Sequence, residues 1–301
     1  MPHMTPSLEM RLQLGTQCID IGTKESPYRL LENGVRGIDG PPFHAEMREA
    51  AHLDGGVCVS ARVPSRKIEL DFEIVPSEES EHLRAALISF FSPKESGVLS
   101  VTRCGVTRYI ACRLAEGITL TQPTLHHPVR VHVALICPDP YFYGKEETAI
   151  LRAGAAGMIY FPFTLSEEGG ITGGVLGGDH SLSIDNRGDG ETGFYMVLGI
   201  TDGDGYEGAG CEMSGITLSS RGHDGDKMHI DVSLTKGDTL EICTFPGAKY
   251  VRKNGEVCMR FSPESRFFAL GRGISIIDLT FETLHGLPQA SVSLRPSYLG
   301  V

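Results

Sequence analysis

The constraint that bears hardest on this chain is its punctuation. Short runs of alternating apolar and polar residues are separated every few positions by Gly, Pro, Asn or Asp, and helical periodicity is almost absent. Such a pattern belongs to sandwiches and barrels, so the chain reads as mainly β. The clearest run is Lys67 to Ile74, where Lys67, Glu69, Asp71 and Glu73 alternate with Ile68, Leu70, Phe72 and Ile74. Alternation of period two gives that strand one wet and one buried face. One helix is expected directly afterwards. Ser77 is placed as its cap, Glu78 and Glu79 lie in its first turn, Leu83, Leu87 and Phe90 share a face, and Pro93 follows. Further strands are expected at Gly97 to Arg103, Arg108 to Leu114 and Pro128 to Cys137, before the break at Pro138-Asp139-Pro140.

A chain of 301 residues is long enough for two cores. The composition turns Gly-rich after Tyr143, with double glycines at Gly169-Gly170, Gly173-Gly174 and Gly177-Gly178, which sets a boundary near Gly144 to Ala156. In the second half Met228, Ile230, Val232 and Leu234 alternate with His229, Asp231 and Ser233. Asn254-Gly255, between Lys249 to Lys253 and Glu256 to Phe261, predicts a type I′ hairpin. Ile274 to Phe281 and Ala290 to Arg295 complete a sandwich-sized set.

Charge and motifs narrow the function mainly by exclusion. Lys plus Arg is 27 against 38 Asp plus Glu, a net charge of −11, which disfavours gripping a nucleic-acid backbone. Met1 to Gly15, with Glu9 and Arg11, has no signal-peptide core, and apolar runs such as Val129 to Cys137 are too short to span a bilayer, so neither export by a signal peptide nor a membrane anchor is expected. The eight cysteines contain no Cys-x-x-Cys pair and read as reduced core thiols. Gly173 to Gly178 is followed by no Lys-Ser/Thr, which argues against a phosphate loop. Asp202-Gly203-Asp204-Gly205-Tyr206-Glu207 fails as a calcium loop because Tyr206 takes a ligand position and Met213 stands where a bidentate Glu is required. His126 and His127 would point to opposite faces of a strand and could not ligate one ion together with His132. There is no Gly-x-Ser-x-Gly elbow, and the carboxylates around Glu78 to Glu81 and at Glu146-Glu147 form no recognisable acid/base pair. No catalytic, cofactor-binding or metal-ligating residue is assigned, and the chain is not expected to be an enzyme. Sugar-binding sandwiches generally use an indole, and Trp is absent; Tyr195, Tyr206, Tyr250 or Tyr298 would have to replace it.

The order and spacing of elements over most of the chain resemble the siphovirus-type tail component family, the distal tail (Dit) proteins of long-tailed bacteriophages and prophages. The matching features in the first half are Arg66-Lys67-Ile68-Glu69-Leu70, the helix from Ser77 to Phe91, Gly97-Val98-Leu99-Ser100-Val101, Arg108-Tyr109-Ile110-Ala111-Cys112 and, most specifically, Cys137-Pro138-Asp139-Pro140-Tyr141-Phe142. In the second half they are Phe161-Pro162-Phe163, Asn186-Arg187-Gly188-Asp189, the hairpin from Leu240-Glu241-Ile242 to Asn254-Gly255, Gly273 and Tyr298-Leu299-Gly300. The resemblance implies a tail-tube-like β-sandwich or barrel over residues 1–144, a linker at 145–158 and a galectin-like sandwich over 159–301. It further implies a homo-hexameric ring, in the virion and in the host cytoplasm during assembly, that joins the tail tube to the baseplate or tip and lets DNA pass without holding it. A carbohydrate- or receptor-binding module is the alternative reading, with weak glycan binding placed in the second domain. A tail-associated hydrolase is a third, and lacks its acid/base pair.

Overall fold

The alternation from Lys67 to Ile74 is realised residue by residue: Ile68, Leu70, Phe72 and Ile74 are at most 1% exposed, while the charged residues between them lie on the solvent side. The structure, a computed structural model, describes residues 8–49, 52, 54–124, 127–152, 180–203, 207–221, 225–258 and 260–301. It is mainly β, with one α-helix among the described residues, and divides into two compact units, Met1–Gly144 with Tyr298–Val301, and Lys145–Ser297.

The first unit contains β1 (Leu8–Leu14), β2 (Gln17–Ile21), β3 (Tyr28–Arg36), β4 (His44–Glu49), β5 (Gly56–Arg62), β6 (Arg66–Ile74), α1 (Ser80–Phe90), β7 (Ser96–Arg103), β8 (Val106–Leu114), β9 (Thr119–Thr121), β10 (Val129–Cys137) and β11 (Phe142–Tyr143). Its main sheet runs β2-β1-β7-β8-β10-β6-β3, with β9 on β10 and β11 on β8. Register follows the hydrophobic pattern: Val131 faces Phe72 and Val133 faces Leu70, so inward residues meet inward residues. The helix covers this core with Leu87 and Phe90, as its periodicity predicts. It starts later than expected, however. Ser80 Oγ donates to Ser77 O at 2.8 Å and accepts from Ser77 N at 2.8 Å, so Ser77 belongs to the preceding turn and Glu79 stands at the cap position without a side-chain bond.

Arg66 lies in phase with Ile68 and Leu70 and is 0% exposed. Its Nη1 donates to Gly37 O and Asp39 O, each at 3.1 Å, its Nη2 donates to Leu299 O, and its guanidinium lies 5.0 Å from the centre of the Phe142 ring. Burial lowers its pKa, against the opposing influence of Cys137 and Asp39. Arg108 adds a second hold on the same tail, stacking 3.8 Å over the Tyr298 ring and donating to Gly300 O. Residues 298–301 are thereby built into the first unit, although they are furthest from it in sequence.

The second unit contains β12 (Glu147–Arg152), β13 (Ser181–Asn186), β14 (Phe194–Thr201), β15 (Glu212–Ser220), β16 (Lys227–Thr235), β17 (Leu240–Cys243), β18 (Tyr250–Lys253), β19 (Glu256–Val257), β20 (Gly273–Thr280), β21 (Thr283–His285) and β22 (Leu287–Leu294). The sheet β12-β22-β14-β17-β18-β19 and the sheet β13-β20-β15-β16, with β21 on β15, enclose one core that includes Phe194, Met196, Leu218, Ile230, Ile242 and Val292. Residues 147–152, expected in a linker, form β12 instead, because paired with β22 they bury Ala149. The strand expected from Glu256 to Phe261 stops at Val257, since Phe261 bridges to Ile230. The Gly169 to Gly178 stretch and Phe161-Pro162-Phe163 lie outside the described residues.

The predicted hairpin has Asn254 at φ +52° and Gly255 at φ +84°, the two left-handed positions a type I′ turn requires. Asp238 ties it to the neighbouring turn. Its carboxylate accepts from Asn254 Nδ2 at 2.7 Å, Thr235 N at 3.0 Å and Thr235 Oγ1 at 3.1 Å, and pairs with Lys253 Nζ at 3.1 Å. The Asn254 bond, then the Thr235 N–H, hold this carboxyl well below the usual carboxylate range. Asp238→Ala should therefore cost about 1–2 kcal/mol at neutral pH. A depressed folded pKa contributes stability that is complete above the ordinary Asp value of about 3.9 and fades as pH falls below it. Denaturant unfolding of parent and variant should thus show a gap at pH ~7 that narrows toward pH ~3; a gap independent of pH would contradict this role.

Candidate assembly surface of the first unit

Among the described residues, strands β4 and β5 pair only with each other, and every residue of both is exposed. Phe43 is 67% exposed, Met47 54%, Val57 72% and Val59 48%. An isolated two-stranded ribbon is marginal in water, and apolar side chains spread along it gain nothing unless another surface covers them. The main sheet also ends in two different edges, β2 and β3, neither bearing a further strand among the described residues.

Several cations on the wet face of that sheet are paired. Arg11 Nε lies 2.6 Å from Asp20, Arg36 reaches Glu69 at 2.8 Å and Asp71 at 2.9 Å, and Lys67 reaches Glu69 at 3.1 Å and Glu116 at 3.2 Å. Hydrogen bonding from Arg11 lowers the Asp20 pKa, and bonds from Arg36 and Lys67 lower that of Glu69. Exposed pairs of this kind contribute only about 0–1 kcal/mol each. Their consequence is electrostatic: these cations are already neutralised and present no continuous basic track to a phosphate backbone.

Among the described residues, no chemical site assembles around those weighed from sequence. His132 Nδ1 is bound to Asp71 at 2.6 Å and His127 Nδ1 to Thr124 at 2.6 Å, while His126 lies outside the described residues. Asp202 accepts from Gly208 N at 2.9 Å and pairs with Lys236, whereas residues 204–206 are not described. Among the described residues no three His, Cys, Asp or Glu side chains are grouped to hold a metal ion, and no helix is long and apolar enough to cross a membrane. The cysteine reading needs correction. All eight are free, and burial pushes the Cys112 and Cys137 thiols up to about 12, but Cys18, Cys58 and Cys104 are exposed. Each exposed one sits away from an inward face: Cys18 is on the solvent side of β2, out of phase with buried Ile21, Cys58 is on the ribbon and Cys104 is in the β7–β8 turn at φ +51°.

Among solved structures, the chain is similar to the Dit protein of phage SPP1, described as a paradigm of the hub adsorption apparatus in phages that infect Gram-positive bacteria. The TM-score is 0.65 over 96% of this chain and 99% of that one, at 14% identity. The chain has the fold of a Dit hub protein. A chain of the phage P2 baseplate in its activated conformation is similar at a TM-score of 0.50, with 11% identity, over 97% of this chain and 98% of that one. No protein-family model matches the chain, and no curated protein matches it in sequence. The likeness is therefore one of fold, and the Dit fold extends through both units rather than one.

Proposed function

We propose that this chain is a structural distal tail protein of a phage or prophage. In this reading it forms a hexameric hub that joins the tail tube to the baseplate or tail tip, with a central channel for DNA. The observation that carries the reading is the near-complete coverage of a Dit hub protein by a chain whose first unit leaves an apolar ribbon uncovered. Two unlike sheet edges also suit a head-to-tail contact, which closes into a ring when its rotation allows. The partners are other copies of the chain, the tail tube protein and the tip proteins, and the location is the virion, with the host cytoplasm during assembly. The domains are the two compact units, with the tail at 298–301 assigned to the first.

Passage of DNA makes an electrostatic demand on such a ring. Six copies at −11 each carry about −66. With that net negative charge, and with Arg11, Arg36 and Lys67 already paired, duplex DNA should be held off the wall by repulsion that salt screens over about 8–10 Å. Filter binding with the assembled ring near 0.15 M salt should find no duplex retained at micromolar protein. Micromolar or tighter affinity would contradict a non-sticking channel, because it would require a counterion-releasing basic surface.

A further inference from the structure

In the second unit, β20 is an inner strand, with Ser181 of β13 and Ser219 of β15 flanking Asp278 in register on its outer face. Arg221, one residue beyond β15, is fixed at both ends. Its backbone N–H donates to Ile276 O at 2.9 Å, and its Nε and Nη2 donate to the two Asp278 carboxylate oxygens at 3.1 and 2.7 Å. Beyond Thr280 the chain turns at Phe281, which packs partly on the sandwich core. His180 is held by the Leu279 N–H on its carbonyl at 2.7 Å, with its ring edge-on to Phe281 at 5.5 Å. His180, Arg221, Asp278 and Phe281 line a cleft of about 550 Å³ with Ser219, Thr280 and Leu284. That is within the size range of small-ligand sites.

We propose that this cleft binds a neutral saccharide. One side offers a preorganised Arg–Asp pair beside the hydroxyls of Ser219 and Thr280, able to donate to and accept from adjacent sugar hydroxyls. The other offers Phe281 and Leu284 to the apolar C–H face of a sugar ring. Competing ligand classes fit less well. The guanidinium is already neutralised by Asp278 and, among the described residues, no Lys or second Arg lines the cleft, so a phosphate would face a carboxylate without compensation. A peptide adding as a strand needs a free edge, and β20 has neighbours on both sides. Among the described residues a single carboxylate lines the cleft, too few for a divalent cation. The argument rests on the second unit alone and does not require the ring.

The test uses the labelled full-length chain on an array of immobilised neutral oligosaccharides, with a glycerol phosphate polymer as the anionic probe. The expected result is retention on at least one neutral oligosaccharide with an affinity of about 0.1–1 mM, as befits one ring and a few hydroxyl contacts. Asp278→Asn and Phe281→Ala should each lose about tenfold, and Thr280→Val about threefold, while Glu241→Gln on the opposite sheet should lose nothing. Because Phe281→Ala also thins the core, Thr280→Val and Asp278→Asn decide the matter, read alongside thermal unfolding. The proposal is overturned if no neutral oligosaccharide is bound at millimolar concentration, if folded Asp278→Asn and Thr280→Val bind as the parent does, or if only the phosphate polymer is retained.

Discussion

Replacing Arg66 by Ala should destabilise the first unit by about 3–5 kcal/mol. Three carbonyls, those of Gly37, Asp39 and Leu299, lose their donor at once, at roughly 1 kcal/mol or more each. The void left beside Phe142, itself 0% exposed, adds a cavity cost of the large-to-small kind. Arg66→Met separates these contributions. A buried cation without a carboxylate carries a desolvation cost that a thioether avoids, and replacement of buried charges by apolar side chains is sometimes neutral. Here Met fills the space but removes the guanidinium bonds to the same three carbonyls, so the expected loss is about 2–3 kcal/mol, smaller than for Ala yet still a loss. Urea unfolding of parent and both variants, followed by a probe in the first unit, measures this. A loss below about 1 kcal/mol for Ala would mean that the 298–301 tail is held by Arg108 and its neighbours rather than by Arg66.

The second large effect is on assembly and not on folding. Met47→Asp and Val57→Asp should leave the unfolding of the isolated chain within about 0.5 kcal/mol of the parent, because both side chains already stand in water. The same changes should weaken self-association by tenfold or more, since each would place a carboxylate in a contact that excludes water. A matched control, Val106→Asp, alters another exposed apolar residue (56%) away from the ribbon and should leave association unchanged. Sedimentation of the four proteins over a range of concentrations distinguishes the outcomes. Equal association by parent and ribbon variants would show that the ribbon is not the contact.

What could be read from sequence, and what could not, follows from the range of the interactions involved. Period-two alternation is local, so β6 and β16 are legible to within one residue at their ends, and Asn254-Gly255 specifies its turn through backbone φ alone. The helix was legible in its face but not in its start, because whether Ser77 or Ser80 makes the local bond depends on how the chain leaves Pro76. Arg66 was half legible: its position matches the buried phase of Ile68 and Leu70, but its acceptors lie as far as 233 residues away, and no local pattern points to them. The ribbon escaped notice because neither of its strands buries a face in this chain, so the alternation Val57, Val59, Ala61 had no core to be tested against. The cleft residues His180, Ser219, Arg221 and Asp278 lie on separate strands or just beyond their ends, so only the sheet order brings them together.

If six copies of the chain close into a ring, the mass of the particle in solution shows it most directly. Mass photometry or native mass spectrometry of the purified chain, from low to high concentration and with the adjoining tail protein present, should reveal a six-membered species. Its mass should be about 196 kDa for chains of 32.6 kDa, with sixfold views in electron micrographs. A particle that stays monomeric or dimeric at every concentration, with and without that partner, would contradict the hub reading.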